Sequence, residues 1–406
     1  MKGPLPLFPE RHVAITVPVR RTVIGLDVLR FIAALLVVCF HYFFLSWIEP
    51  AGWGGVRDAV GAEVTYSEAI AFTWWGWVGA ELFFVISGFV ITMSAVGKSA
   101  TDFAIERAAR LLPALLVFST LSLIVVLGEG LLTPGEAFYR WARALVLLPS
   151  GPWIDGVIWT LTVELVFYSV IFAVLATNQI TRLFLFTRIV AQVLALFWTL
   201  VAVNTFFFDL GLLGTAVEYI LHRYMFGPML VTTGSFFLLG MFAYEVFTRG
   251  LTVERSAYLA LTGLCSFGAI VAKASRSVAV TELQQNMLVP ALIWLLCCAA
   301  CALSLAYEKR NIASERVRQR ARALGLVTYP LYLVHNIAGA WVLGRLYEAG
   351  LDRWGAAVAA TGVCVAVSYW FATRLERHMH KWVSRSLKSF SNRIVHTSLA
   401  SDVHSR

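Results

Sequence analysis

RFIAALLVVCFH, residues 30–41, sets an arginine and a histidine at the two ends of ten apolar residues. Read as an α-helix, the spacing turns through three turns plus about 20°, so Arg30 and His41 project from one face, about 16 Å apart along the axis. Asp27 stands one turn before Arg30, where it can hold it. Taken singly, Arg30 also reads as an arginine snorkelling to an interface, and His41 as a buried histidine bonded to a neighbour. What decides the fold is the apolar stretch between them, because it recurs.

Of the 406 residues, 59% are hydrophobic and 14% charged, against about 25% charged in a soluble domain. Apolar runs of about 20 residues, each able to cross a bilayer, follow one another along the chain. We place ten, at about 25–46, 71–95, 108–128, 157–176, 186–206, 228–248, 255–273, 286–307, 323–345 and 354–374. Lipid requires each segment to pair its own backbone groups, which a helix does; a barrel would show short alternating strands instead. The fold class is therefore an all-α polytopic membrane bundle. AVEYILHRYMFGPML (216–230) reads as a re-entrant or interfacial piece.

Charge orients the bundle. With the N-terminus in the cytoplasm, about 25 Lys and Arg fall inside and about 8 outside. The outer loop 47–70 carries Glu49, Asp58, Glu63 and Glu68 against Arg57 alone. Both termini are expected in the cytoplasm, with tails at 1–23 and 377–406 around a membrane domain at 24–376. The basic, proline-broken start followed by a long apolar run reads as a retained first span rather than a cleaved leader. The net charge of +9 is that of positive cytoplasmic loops. No basic patch interleaved with aromatics points to nucleic acid. The six cysteines all lie in apolar runs, and Cys298 and Cys301 lack the second pair that a zinc site needs. No metal is expected.

Ionisable groups at membrane depth cost at least about 2.5 kcal/mol each and usually have a task. The second span carries Glu81 in GAELFFVISGF (79–89), and the fourth carries Glu164 in WTLTVELVFY (159–168), with Tyr168 one turn on. The ninth carries His335 in TYPLYLVHN (328–336), with Tyr332 on its face and Pro330 inviting a kink. His41, Glu81, Glu164 and His335 fall at similar depth, which suggests one shared polar cavity. Toward the cytoplasm, Arg107 and Arg110 share a helix face and suit a phosphate or pyrophosphate. Arg30 would grip an anion at one end of a pore, and His41 would do acid–base work at the other.

Arg30 and His41 at an R-x10-H spacing, GAELFFVISGF, RAARLLP (107–113), WTLTVELVFY and TYPLYLVH, in this order on these spans, resemble the integral-membrane acyltransferase family 3 of bacterial sugar and polysaccharide O-acyltransferases. The resemblance covers about residues 25–375. It implies ten spans in the bacterial inner membrane, an acyl-CoA donor (usually acetyl-CoA) bound from the cytoplasm, and a glycan or lipid-linked sugar as acceptor. It implies His41 as catalytic base, assisted by Glu164, with Arg30, Arg107 and Arg110 on the CoA phosphates. Two positions depart from the family pattern: Thr160 where Ser is common after Trp159, and Glu81 where Asp is frequent. A proton-coupled transporter of an envelope precursor is the rival class, with His and Glu as a relay; the lack of a visible internal repeat weighs against it. A structural envelope subunit is a third.

Overall fold

The computed structural model describes residues 23–404 apart from 62, 178–179, 228 and 282–284. The expected N-terminal tail lies outside them except for Val23. Helix accounts for 82% and there is no strand among the described residues. The chain runs through α1 (Ile24–Ile48), α2 (Ser67–Ala95), α3 (Ala100–Gly128), α4 (Pro134–Leu145), α5 (Ile158–Ala176), α6 (Ile180–Phe206), α7 (Leu212–His222), α8 (Gly234–Arg249), α9 (Val253–Thr281), α10 (Leu288–Arg310), α11 (Glu315–Glu348) and α12 (Arg353–Ser391).

Nine helices among the described residues are long and apolar enough to cross a membrane. The sixth expected span, 228–248, is the exception. It is the 16-residue α8, about 24 Å long at 1.5 Å per residue, preceded by turns. The ten expected spans thus stand as nine full-length helices and this shorter one, which returns the chain alongside α2. The piece at 216–230 contributes the end of α7 and a 3-10 turn, Tyr224–Phe226. The expected C-terminal tail is helical through His404.

Helix starts follow local chemistry. Ser99 and Ser314 accept the backbone N–H of Asp102 and Val317, and Asp352 accepts those of Trp354 and Gly355, satisfying donors that have no partner inside the helix. The centre is built on close backbone approach. A Cβ on Gly88 of α2 would meet the Phe237 carbonyl of α8, and one on Gly240 of α8 would meet the Val85 carbonyl of α2. Small residues at such a contact are how membrane helices gain packing without a hydrophobic driving force. Helices α2 and α11 are enclosed, with 78% of their apolar windows buried, whereas α10 has 17% and turns its apolar side outward. Helix α1 packs against both α2 and α11.

Three of these helices widen by a π turn: His41–Leu45 in α1, His335–Gly339 in α11 and Phe371–Leu375 in α12. Such turns are rare and are frequent at functional sites. Two of the three begin at a histidine.

Candidate active site

The two histidines meet. His41 Nδ1 is 2.6 Å from His335 Nε2, and the rings stack with centroids 4.8 Å apart. His335 Nδ1 is 3.1 Å from the Leu331 carbonyl. A carbonyl only accepts, so His335 Nδ1 carries a proton. In the neutral ring its Nε2 is then bare and accepts from His41 Nδ1–H, which leaves the lone pair of His41 on Nε2. Tyr42, fully buried, donates its hydroxyl to the His335 carbonyl at 3.0 Å and ties the two π turns together.

Two cavities flank this pair. One, about 1200 Å³, is lined by His41, Glu81, Asn336 and six tryptophans: Trp53, Trp74, Trp77, Trp153, Trp159 and Trp198. The other, about 870 Å³, is lined by six Lys and Arg (Arg30, Arg107, Arg110, Arg322, Arg377, Lys381) against four carboxylates (Asp27, Glu106, Glu164, Glu376). Both are of a size for substrates rather than single ions. Tyr332 lines both and is hydrogen-bonded to Thr160 at 3.0 Å. It forms the partition between them.

The expected site residues are therefore divided. Arg30, Arg107, Arg110 and Glu164 share the arginine cavity. His41 and Glu81 line the tryptophan cavity, and His335 is fully buried behind His41. The single shared cavity is not what forms, and Glu164 does not orient His41: it faces the arginines and takes the Ser87 hydroxyl. The reason is the course of α5. Trp159 faces one cavity, while Thr160, Leu161, Glu164 and Tyr168 face the other, so residues of similar depth end on opposite sides of Tyr332. Nor does Asp27 hold Arg30 at contact distance. Arg30 makes no hydrogen bond or ion pair with another described residue, while Arg110 pairs with Glu376. Glu81 is bound by Lys273 at 2.6 Å, and the Lys273 ammonium sits over the Trp77 and Trp159 rings at 4.6 and 5.4 Å, a cation–π arrangement.

Sequence inspection missed a polar knot beside the histidines. Asp155, buried in the loop before α5, accepts from Asn336 Nδ2 at 2.7 Å, from the Val157 N–H at 3.1 Å and from Ser122 Oγ at 3.1 Å. Burial lifts its carboxyl to about 6 despite these donors. Asn336 follows His335 directly and lines the tryptophan cavity. Its adjacency to His335 is the one sign of it in the sequence; a lone acid in a loop gives no such sign for Asp155. Arg322, Arg377 and Lys381 looked like ordinary cytoplasmic cations. Among the described residues no cluster of ligands fit for a metal occurs.

A family model described as an acyltransferase domain matches residues 23–373. The chain belongs to acyltransferase family 3. This family 3 acyltransferase is also 32% identical over 112 residues to Nodulation protein 10 of Rhizobium leguminosarum bv. viciae, a stretch covering 22% of this chain and 30% of that protein. The chain thus spans under a third of the relative it matches. No solved structure matches. The histidine pair and both cavities lie within the matched residues, except for the α12 side chains Glu376, Arg377, His380 and Lys381 on the arginine cavity.

Proposed function

We propose that this family 3 acyltransferase works in the bacterial inner membrane, with its N-terminus in the cytoplasm. It moves an acyl group, acetyl by expectation, from acyl-CoA in the arginine cavity to a hydroxyl of a glycan or lipid-linked sugar in the tryptophan cavity. The observation that carries this is the His41–His335 pair, which leaves His41 Nε2 as a base on the wall of the tryptophan cavity.

Each cavity suits its ligand. The arginine cavity has an excess of cations, and the buried Arg107 Nε has no partner, as a site for phosphates requires. The tryptophan cavity offers flat apolar faces on which sugar rings stack. Four buried polar atoms of its wall lack partners: the Trp77 and Trp198 indole N–H groups, Glu81 Oε2 and Asn336 Oδ1. Buried polar atoms are normally satisfied, and these four make the wall beside the cavity a polar one that a hydroxyl-rich ligand suits better than a hydrocarbon.

The thioester supplies an activated acyl carbon at Tyr332. His41 Nε2 takes the proton of the acceptor hydroxyl as that oxygen bonds to the acyl carbon. It returns the proton to the departing sulfur as the C–S bond breaks, leaving an O-acyl ester and a free thiol. His335 holds His41 in its tautomer and is a positioning residue. The second N–H of Asn336 Nδ2, the first being held by Asp155, is a side-chain candidate for stabilising the oxyanion.

Binding separates this assignment from a transporter. The purified chain should bind acetyl-CoA, and Arg107→Gln should weaken that binding by about 10-fold or more, the worth of a charged hydrogen bond. A chain that binds no acyl-CoA at millimolar concentration contradicts the assignment.

A further inference from the structure

Among the described residues, Tyr332 alone lines both the arginine cavity and the tryptophan cavity. His41 is on one side of it, and Arg30, Arg107 and Arg110 are on the other. A thioester held by the arginines therefore meets the phenol of Tyr332 before it meets His41. The ring is buried, at 6% exposure, and the reaction needs it out of the way. With the ring aside, cavities of about 870 and 1200 Å³ join into one passage.

Two directional contacts to other helices hold the phenol in place. Its hydroxyl is hydrogen-bonded to Thr160 of α5 at 3.0 Å, and its ring meets Phe83 of α2 edge to face, with centroids 5.5 Å apart. The backbone beneath it is irregular on both sides. Pro330, inside α11 and two residues before Tyr332, brings no N–H to the helix ladder. The π turn His335–Gly339 begins three residues after it. A side chain carried between a proline and a π turn has more local freedom to turn than one in a regular helix.

The geometry points to Tyr332 as a gate latched by Thr160. Latched, it keeps the thioester from His41 and closes the passage between the two cavities; unlatched, it lets the acyl carbon reach the base. The chemistry of the gate rests on the acyl-transfer assignment above, whereas the closure of the passage does not. A gate has a clear task here, because water is a nucleophile too. If His41 Nε2 takes a proton from water as that oxygen bonds to the acyl carbon, and returns it to the sulfur as the C–S bond breaks, the products are a carboxylic acid and a free thiol. Keeping base and thioester apart prevents this loss of the donor, as closing elements do at other active sites.

The test uses the full chain in proteoliposomes with two readouts. One is acetyl-CoA hydrolysis with no acceptor present; the other is proton leak after a pH step, followed by a trapped pH dye with no acyl-CoA present. Tyr332→Ala is expected to raise both by about 10-fold or more, since water and thioester then share one space with a general base. Thr160→Val and Tyr332→Phe keep the ring and lose the latch. Each should raise hydrolysis by about 2- to 10-fold, the worth of one hydrogen bond. Their double variant should be no faster than either alone, because both remove the same bond. These two variants carry the test if Tyr332→Ala does not fold. A Tyr332→Ala protein as tight and as slow to hydrolyse as wild type overturns the gate. Latch variants at the wild-type rate, or effects that multiply in the double variant, overturn the latch. Faster hydrolysis without a leak overturns the closure of the passage. A leak from a protein that never consumes acyl-CoA upholds that closure and contradicts the acyl-transfer assignment instead.

Discussion

His41 Nδ1 and His335 Nε2 lie 2.6 Å apart, and the Leu331 carbonyl fixes the proton at the far end of that pair. The relay runs from backbone carbonyl to His335 to His41 and ends on a bare imidazole nitrogen. It has the logic of a hydrolase triad, in which a third group orients the base, with a neutral ring where the triad has a carboxylate.

Removing His335 should therefore slow turnover without abolishing the site. His335→Ala is expected to lower kcat by about 10- to 100-fold, less than the loss of a general base itself, about 10²- to 10⁴-fold. His335→Gln keeps an amide oxygen to accept from His41 and should recover part of the loss. Because the two rings act as a unit, the double variant should be hardly worse than His41→Ala alone. Steady-state kinetics in proteoliposomes would show this; fully additive losses would dissolve the relay.

Asp155 predicts opposite pH trends for activity and stability. Its carboxyl is raised from an ordinary value of 3.8 to about 6 by burial, so the folded protein keeps this proton where the unfolded chain has lost it. The free energy of unfolding should fall as pH rises from about 3.8 to about 6, by about 3 kcal/mol for this group. Activity should move the other way, since the ionised carboxylate is what holds Asn336, and should decline below about pH 6. Asp155→Asn should flatten that part of the stability curve, read as thermal midpoints in detergent, and lower activity at every pH.

The arginine cavity predicts effects on the donor alone. Arg30→Gln and Arg107→Gln should each raise KM for acyl-CoA by about 10- to 100-fold with kcat little changed, the pattern of lost uniform binding. Arg110→Gln should behave differently, because its guanidinium already holds Glu376. It should cost stability as well, leaving a buried carboxylate without its cation.

Much of this was legible in the chain. Depth along a helix follows from counting residues at 1.5 Å each, so the sequence alone puts His41 and His335 at similar depth, where the structure has them in contact. The three arginines were likewise placed together. What counting could not give is the azimuth of one helix relative to the next. Glu164 and His41 share a depth and are parted by Tyr332, because a single turn of α5 carries its side chains from one cavity to the other. Asp155 was invisible for a related reason: a loop acid becomes a buried acceptor only when α11 brings Asn336 to it. Helix α8 is shorter than a full span because residues 229–233 form turns and the helix begins only at Gly234.

The α2–α8 contact sets the shape of both cavities, since α2 supplies Glu81 to one and Ser87 to the other. Gly240→Leu forces a side chain into the Val85 carbonyl. It should lower the thermal midpoint and the yield of folded protein, by more than the about 1–3 kcal/mol typical of overpacking because a backbone group is struck. Gly263→Leu, where a Cβ meets nothing, should be tolerated. Equal effects of the two would show that the helices do not meet at this glycine.

The most direct test gives inverted membrane vesicles acetyl-CoA labelled in its acetyl group, with wild type and His41→Ala at matched expression. Label is then measured in the lipid-linked and polymeric glycan. Label in wild type and none above background in the variant is the predicted result, and it would place the chemistry at His41. Equal label in both would remove His41 from the reaction and with it the function assigned to the histidine pair.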